Sequence, residues 1–241
     1  MKEILLSGCQ QLNIGIDAEK TEQLLEYAKL LVEWNEKMNL TAITDSEGIA
    51  TKHFLDSMTP ILTGHISGRV IDVGTGAGFP GLVLKCMLPQ IVLTLLDSLN
   101  KRISFLKDAK EYMGIDDGVS FIHSRAEDAG LSKEHREKYD TVVSRAVANM
   151  RTLSEWCLPL IKEGGYFLAL KGPLADDELE DAKPAIEILG GEVTDVFTAS
   201  IPYTDLRHKI IIVKKVRPTP TFLPRKGKKA TQEPVEKIRR K

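Results

Sequence analysis

The chain has 241 residues, 42% hydrophobic and 28% charged, with a formal net charge of −1; this is room for one α/β domain with an elaboration, and it excludes a fibrous or wholly disordered protein. No apolar run reaches the ~20 residues needed to cross a bilayer, and the opening MKEILLSGCQQ lacks the apolar stretch of a signal peptide, so a cytoplasmic protein with no membrane partner is expected. Cys9, Cys86 and Cys157 lie far apart without Cys-x-x-Cys or Cys/His ligand spacing, which argues for reduced thiols and against both a disulfide framework and a bound metal.

In chain order, residues 17–38 predict a helix, because Asp17 is placed to cap it and Leu24, Ala28, Leu31, Trp34 and Met38 recur at three- and four-residue spacing. A second helix is predicted over 46–58, giving a helical extension over 1–62 ahead of a core at 63–215. From Arg69 onward strand and helix signals alternate. Strands are predicted at 69–73, 91–97, 118–123, 139–145, 164–170, 191–200 and 208–214, with helices at 80–88, 100–113, 149–160 and 175–189. This alternation describes an α/β protein with a seven-stranded, mostly parallel, doubly wound Rossmann-like sheet, whose ligands sit beyond the strand C-termini at the switch point. A monomer is expected.

The charge is divided unevenly. From Lys214 onward eleven Lys or Arg face only Glu233 and Glu236, a balance of +9 that leaves residues 1–213 at −10. Residues 216–241, interrupted by Pro218, Pro220, Pro224, Gly227 and Pro234, therefore predict a flexible basic tail of the kind that binds nucleic acid or is simply solvated.

Residues 69–81 read RVIDVGTGAGFPG: a β-branched strand, an acid, then four glycines within eight positions. Such a loop brings backbone N–H groups close to a nucleotide-type ligand. Gly76, Gly78 and Gly81 satisfy G-x-G-x-x-G, and Asp97 closes the next apolar run, so a nicotinamide or flavin enzyme is one reading. The other starts from Asp72, whose carboxylate at the strand end opposes a pyrophosphate and favours a cationic ligand. S-adenosylmethionine carries an ammonium and a sulfonium, no phosphate, and ribose hydroxyls for Asp97. The spacing of Asp72, Gly74, Gly76 and Gly78 resembles the first motif of the class I methyltransferases.

Three further segments end strands at the same rim: DSLNKR from Asp97, SRAED from Ser124, and SRA from Ser144. Asp97 can also cap the following helix, and Glu127 and Asp128 read equally as adenine contacts or solvated acids. Arg145 ends a buried strand, where a guanidinium needs a cleft or a partner. The fourth rim also narrows the acceptor. It carries SRAV in place of the Asn/Asp-Pro-Pro-aromatic string of exocyclic-amine methylation; Cys157 lies in the helical pattern EWCLPL and reads as a packed thiol; and no acid stands near Arg145 for ribose methylation. A ring nitrogen such as guanine N7, already nucleophilic and without a proton to lose, is the acceptor left, and it needs alignment more than a base.

These strings, with Trp34-Asn35, Asn39-Leu40-Thr41, HFLDS at 53–57, VVSRAVA and LKG at 170–172, resemble over residues 27–213 the RsmG (GidB) family of bacterial 16S rRNA guanine-N7 methyltransferases. The resemblance implies the class I methyltransferase fold, S-adenosylmethionine contacts at Gly74, Phe79, Ala126, Glu127 and Arg145, Asp97 near the ribose, and a guanine of the 530 loop in the small-subunit rRNA as substrate. With it, Asp72, Gly76 and Gly78 are expected to place the cofactor and Arg145 to stand between cofactor and base as the catalytic residue. Asn39, His53 and Asp56 belong to the helical extension that folds over the acceptor side, His53 reading first as a structural histidine. Lys171 and Arg207, near ends of late strands, are candidates for rRNA phosphates or solvated bases.

Overall fold

The computed structural model describes residues 1–227 and 229–235. The chain begins with α1 (Lys2–Gln11), which the sequence pattern missed because its buried stripe, Leu5, Gly8 and Cys9, is short. In α2 (Ala18–Asn35) Asp17 caps as expected, its carboxylate accepting from Lys20 N at 2.8 Å, and Leu24, Ala28 and Leu31 are buried. The helix expected over 46–58 is broken into α3 (Ser46–Gly48), a π-helical turn (Ile49–Leu55), α4 (Asp56–Met58) and a 3-10 turn (Thr59–Thr63). Wide π turns concentrate at functional sites, and this one carries Lys52 and His53.

All seven expected strands form: β1 (Arg69–Val73), β2 (Val92–Asp97), β3 (Val119–His123), β4 (Tyr139–Arg145), β5 (Ile161–Lys171), β6 (Gly191–Ser200) and β7 (Arg207–Lys215). They lie in the order β3-β2-β1-β4-β5-β7-β6. β7 alone runs antiparallel to its neighbours, inserted between β5 and β6. Between the strands run α5 (Gly81–Met87), α6 (Asn100–Tyr112), α7 (Ala126–Leu131), α8 (Met150–Cys157) and α9 (Ala175–Ile188), and α10 (Lys229–Gln232) lies beyond β7.

Side chains alternate across the strands and build two cores. Val70, Leu93, Val143, Leu168, Ile210 and Ile212 face one side, where α1, α2, the π turn, α5 and α6 pack; Ile71, Val142, Phe167, Ile211 and Val213 face the other, under α7, α8 and α9. The helical extension is therefore continuous with the first core, Tyr27 and Phe54 packing with Phe79 and Phe105. The Tyr27 hydroxyl donates to Ala77 O inside the glycine loop.

The expectation of a flexible tail is corrected for residues 216–227 and 229–235. Leu223, Ala230 and Val235 are buried against the second core, a contribution of about 1.5–3 kcal/mol for a fully buried leucine. The Arg136 guanidinium donates to the carbonyls of Gly130, Thr219, Pro220 and Leu223, and Arg225 makes a two-pronged pair with the buried Glu155, at 2.9 and 2.6 Å. Lys215, counted among the tail's cations, is buried on Leu158 O and Thr219 Oγ1, and burial lowers its pKa to about 8. Apolar anchoring and satisfied carbonyls outweigh a proline-rich composition. Lys228 and residues 236–241, the remainder of the tail expectation, lie outside the described residues.

Candidate active site

The β1–α5 loop folds around Asp72. Its Oδ2 accepts from Thr75 Oγ1 at 2.7 Å and from Gly81 N, the first N–H of α5, at 2.8 Å. The next, Leu82 N, bonds Gly78 O at 2.9 Å, and Pro80 has none, so the two leading N–H groups that a pyrophosphate would need are already taken from within. Asp72 lies wholly inside, behind the loop rather than on an open lip, and burial pushes its pKa up to about 6 against those two hydrogen bonds. Its Oδ1 is buried without a partner.

Gly74, Gly76 and Gly78 have φ of +70°, +59° and +90°. At Gly78 the expected reason for glycine is corrected: a Cβ would lie 2.5 Å from Tyr27 Oη and 2.8 Å from Leu82 Cδ1, so the residue admits the helical extension rather than a ligand. Gly76 does face open space, the nearest atom to its Cβ position being Gly74 O at 4.0 Å.

Two crevices open at the C-terminal rim of the sheet. The first, about 300 Å³, is walled by Gly74, Asp97, Arg102, Ala126, Glu127 and Trp156. Asp97 ties the rim together, accepting from Gly76 N at 3.0 Å, Leu99 N at 2.9 Å and Arg102 Nη1 at 3.2 Å. Glu127, on the first turn of α7, is buried, with Arg125 Nη1 3.8 Å away. The second crevice, about 660 Å³, is walled by Lys52, His53, Asp56, Arg145, Lys171 and His208 among others. Ala146 and Val147, directly after β4, belong to both walls. Ala146 holds φ +56°, a strained conformation for an alanine and one that proteins keep mainly at working sites.

Arg145 turns toward the second crevice. Its Nη1 donates to Asp56 Oδ2 at 2.7 Å and Lys52 O at 3.1 Å, and its guanidinium lies over the Phe79 ring, 5.2 Å from the centroid. Phe79 also stacks with His53, ring centroids 4.5 Å apart. Burial, reinforced by the Arg145 charge, lowers the His53 pKa to about 4, and its Nε2 pairs with Thr41 Oγ1 at 2.8 Å. Asp56 is the buried hub: its second oxygen accepts from His208 Nδ1 at 2.8 Å. Burial alone would raise its pKa, but the His208 hydrogen bond and the Arg145 charge outweigh it and hold the carboxyl below the usual range.

The sequence-predicted residues thus divide among these places. Gly74, Asp97, Ala126 and Glu127 wall the first crevice, with Gly76 on the same loop as Gly74; His53 and Arg145 meet in the second, each packed on Phe79. Lys171 corrects the expectation of a free amine: it is buried, bonded to Ala148 O at 2.5 Å and Glu178 Oε2 at 2.7 Å, because a strand-end lysine under α9 must pair internally. Asn39 is exposed outside both walls, where Asn35 Oδ1 instead holds Leu40 N and Thr41 N. Arg207 is exposed at the first position of β7, one residue from His208. His208 itself went unread, since only the antiparallel insertion of β7 beside β5 brings it to β4's rim; Trp156 was missed because it lies in α8, away from the strand-end strings. Cys157 is a packed thiol as expected, fully buried with its pKa pushed up by burial.

This strand order, with antiparallel β7 and the paired crevices on the switch point, defines a class I methyltransferase fold. TrmN from Thermus thermophilus shares it, with a TM-score of 0.52 at 16% identity over 69% of this chain and 53% of that one, a likeness of fold alone. A family model for GidB, described as rRNA small subunit methyltransferase G, matches residues 20–208. The curated "Ribosomal RNA small subunit methyltransferase G" of Alkaliphilus oremlandii (strain OhILAs) is 50% identical over 240 residues, 98% of this chain and 99% of that one. Its counterpart in Alkaliphilus metalliredigens (strain QYMF) is 47% identical over 237 residues, with the same coverage of each. The chain belongs to the rRNA small subunit methyltransferase G family.

The class uses S-adenosylmethionine, and the first crevice fits it. Space for a ligand lies open at Gly76, two buried carboxylates, Asp97 and Glu127, stand on the wall, the buried Asp72 Oδ1 behind the loop has no hydrogen-bond partner, and the leading N–H of α5 is already taken by Asp72.

Proposed function

We propose that this protein transfers a methyl group from S-adenosylmethionine to N7 of a guanine in the 530 loop of 16S rRNA, acting in the cytoplasm as a monomer. The observation that carries the reading is the pair of crevices with a common wall at Ala146 and Val147: a donor in one and an acceptor in the other stand across two residues. Both crevices are built from one chain. The family's relatives are named for small-subunit rRNA methylation, and the N7 assignment rests on the sequence resemblance and the chemistry of an acceptor that needs no base.

When bound, the cofactor supplies a methyl group on a sulfonium. Asp97, Glu127, Ala126 and the backbone at Gly74 and Gly76 hold it, and Asp72 lends negative charge from behind the loop. Arg145, fixed by Asp56, Lys52 O and the Phe79 ring, keeps its guanidinium on the acceptor side, where it orients the base. His53 remains neutral at physiological pH and closes the acceptor wall without adding charge. No proton has to be removed before attack, so alignment and charge placement are the protein's contribution. The test is incubation of small ribosomal subunits from cells lacking this protein with labelled cofactor, followed by mapping of the label. Label at N7 of a guanine in the 530 loop is expected; label on another atom, or none, overturns the reading.

A further inference from the structure

His208 is held in an unusual position. Its Nδ1 bonds Asp56 Oδ1 at 2.8 Å while the other oxygen of the same carboxylate takes Arg145 at 2.7 Å, so one anion serves two cationic side chains. Because Asp56 can only accept, Nδ1 carries the neutral ring's proton, and Nε2 gains a hydrogen only when the imidazole is protonated. The ring is partly exposed and belongs to the acceptor wall.

We propose that His208 is a substrate-binding residue, its Nε2–H donating to a backbone phosphate of the RNA strand that enters the acceptor crevice. The inference rests on the functional reading above, which puts RNA in that crevice.

The surroundings favour an anion over a base edge. From the π turn come Lys52 and the neutral His53, from α4 Asp56, from β4 Arg145; across from them Lys171 of β5 is neutralised by Glu178 of α9. On its own strand His208 is flanked by the exposed Arg207 and by Lys209, which pairs with Asp176. With Asp56 spent on Arg145, the protonated imidazole and Lys52 leave the wall with excess positive charge and a lone N–H to offer. A guanine edge presents donors as well as acceptors; a phosphate presents acceptors only. The Asp56 hydrogen bond holds the His208 pKa above its ordinary value, which keeps the donor form populated near neutrality.

The test compares the full-length protein with its H208Q variant, using a 530-loop RNA fragment, and reads equilibrium binding as a function of salt at pH 6 and pH 8.5, then KM and kcat for methyl transfer. For the wild type, the plot of log affinity against log salt should be shallower at pH 8.5 by about 0.7–0.9, the loss of one phosphate contact. H208Q should show the shallow slope at both pH values, a KM raised about tenfold and a kcat within about twofold, with unchanged affinity for S-adenosylhomocysteine as the check on folding. A wild-type slope at pH 6 no steeper than that of H208Q overturns the proposal. So does a variant that loses affinity with no change of slope, which would be a base contact, or one that loses kcat alone, which would make His208 only a prop for Asp56 and Arg145. Binding that behaves as proposed in a protein that transfers no methyl group would sink the functional reading and leave the phosphate site standing.

Discussion

The two crevices share two residues and little else. The donor crevice is assembled at the ends of four successive strands, β1, β2, β3 and β4, and from the loops and helices that follow them, so most of its wall residues lie within a few positions of a strand end, Trp156 of α8 being the outlier. The acceptor crevice draws Lys52, His53 and Asp56 from the helical extension, Arg145 from β4, Lys171 from β5 and His208 from β7, positions up to 156 residues apart. The first is local chemistry repeated at a rim. The second exists only once the extension has packed on the sheet and β7 has inserted beside β5, and its integrity hangs on one buried carboxylate.

That contrast can be broken experimentally. The largest effect is expected at Asp56→Ala, which strands Arg145 and His208: stability to urea should fall by about 3 kcal/mol, as when one member of a buried pair is removed. Affinity for S-adenosylhomocysteine should survive in the folded fraction, and its loss would show that the crevices are not separable. Next, Arg145→Ala should slow single-turnover methyl transfer at saturating cofactor by about 100-fold through misplaced substrate; near-normal turnover removes Arg145 from the mechanism.

A pair of glycine substitutions sharpens the comparison within one loop. Gly78→Ala, colliding with Tyr27 and Leu82, should cost about 1–3 kcal/mol of stability as an overpacked site. Gly76→Ala meets no protein atom closer than 4.0 Å, so beyond the strain that its positive φ imposes, about 1–2 kcal/mol, it should weaken cofactor binding, about tenfold by calorimetry. Equal effects of the two on both measurements would refute the division of roles.

The smallest effect is a pH dependence. The folded Asp72 carboxyl, at about 6 instead of the ordinary 3.8, binds its proton more tightly than the unfolded chain does, so this residue's contribution to stability declines as pH climbs from about 4 to about 6. From about pH 5 to about pH 7 the folded carboxyl ionises and lends its charge to the loop in front of it, and affinity for S-adenosylmethionine should rise a few-fold. A flat binding profile between pH 5 and pH 7.5 would remove Asp72 from cofactor placement.

Much of the donor side was legible because strings such as DVGTGAGFPG and LLDSLNKR close short apolar runs with glycines or polar residues, and no distant partner is needed to interpret them. Even there the reason for a residue was misread: Gly78 answers to Tyr27, 51 positions away in the chain. On the acceptor side His53 and Asp56 were noticed but their connection was not, and Lys171 seemed free until Glu178 of α9 was found against it. The tail shows the same limit in reverse, since composition promised solvation while Leu223 and Arg225 found buried partners.

What the amino-acid sequence determined alone was the alternation of strands and helices and the acid-and-glycine loop after β1, because these depend on period, spacing and local backbone freedom, while the family was read from the resemblance of whole strings. Tertiary structure decided the acceptor wall, the Asp56 hub joining Arg145 to His208, and the docking of the chain after β7. Those depend on which faces meet across the sheet, and pairing between charges distant in sequence is settled only when burial makes an unpaired charge too costly to keep.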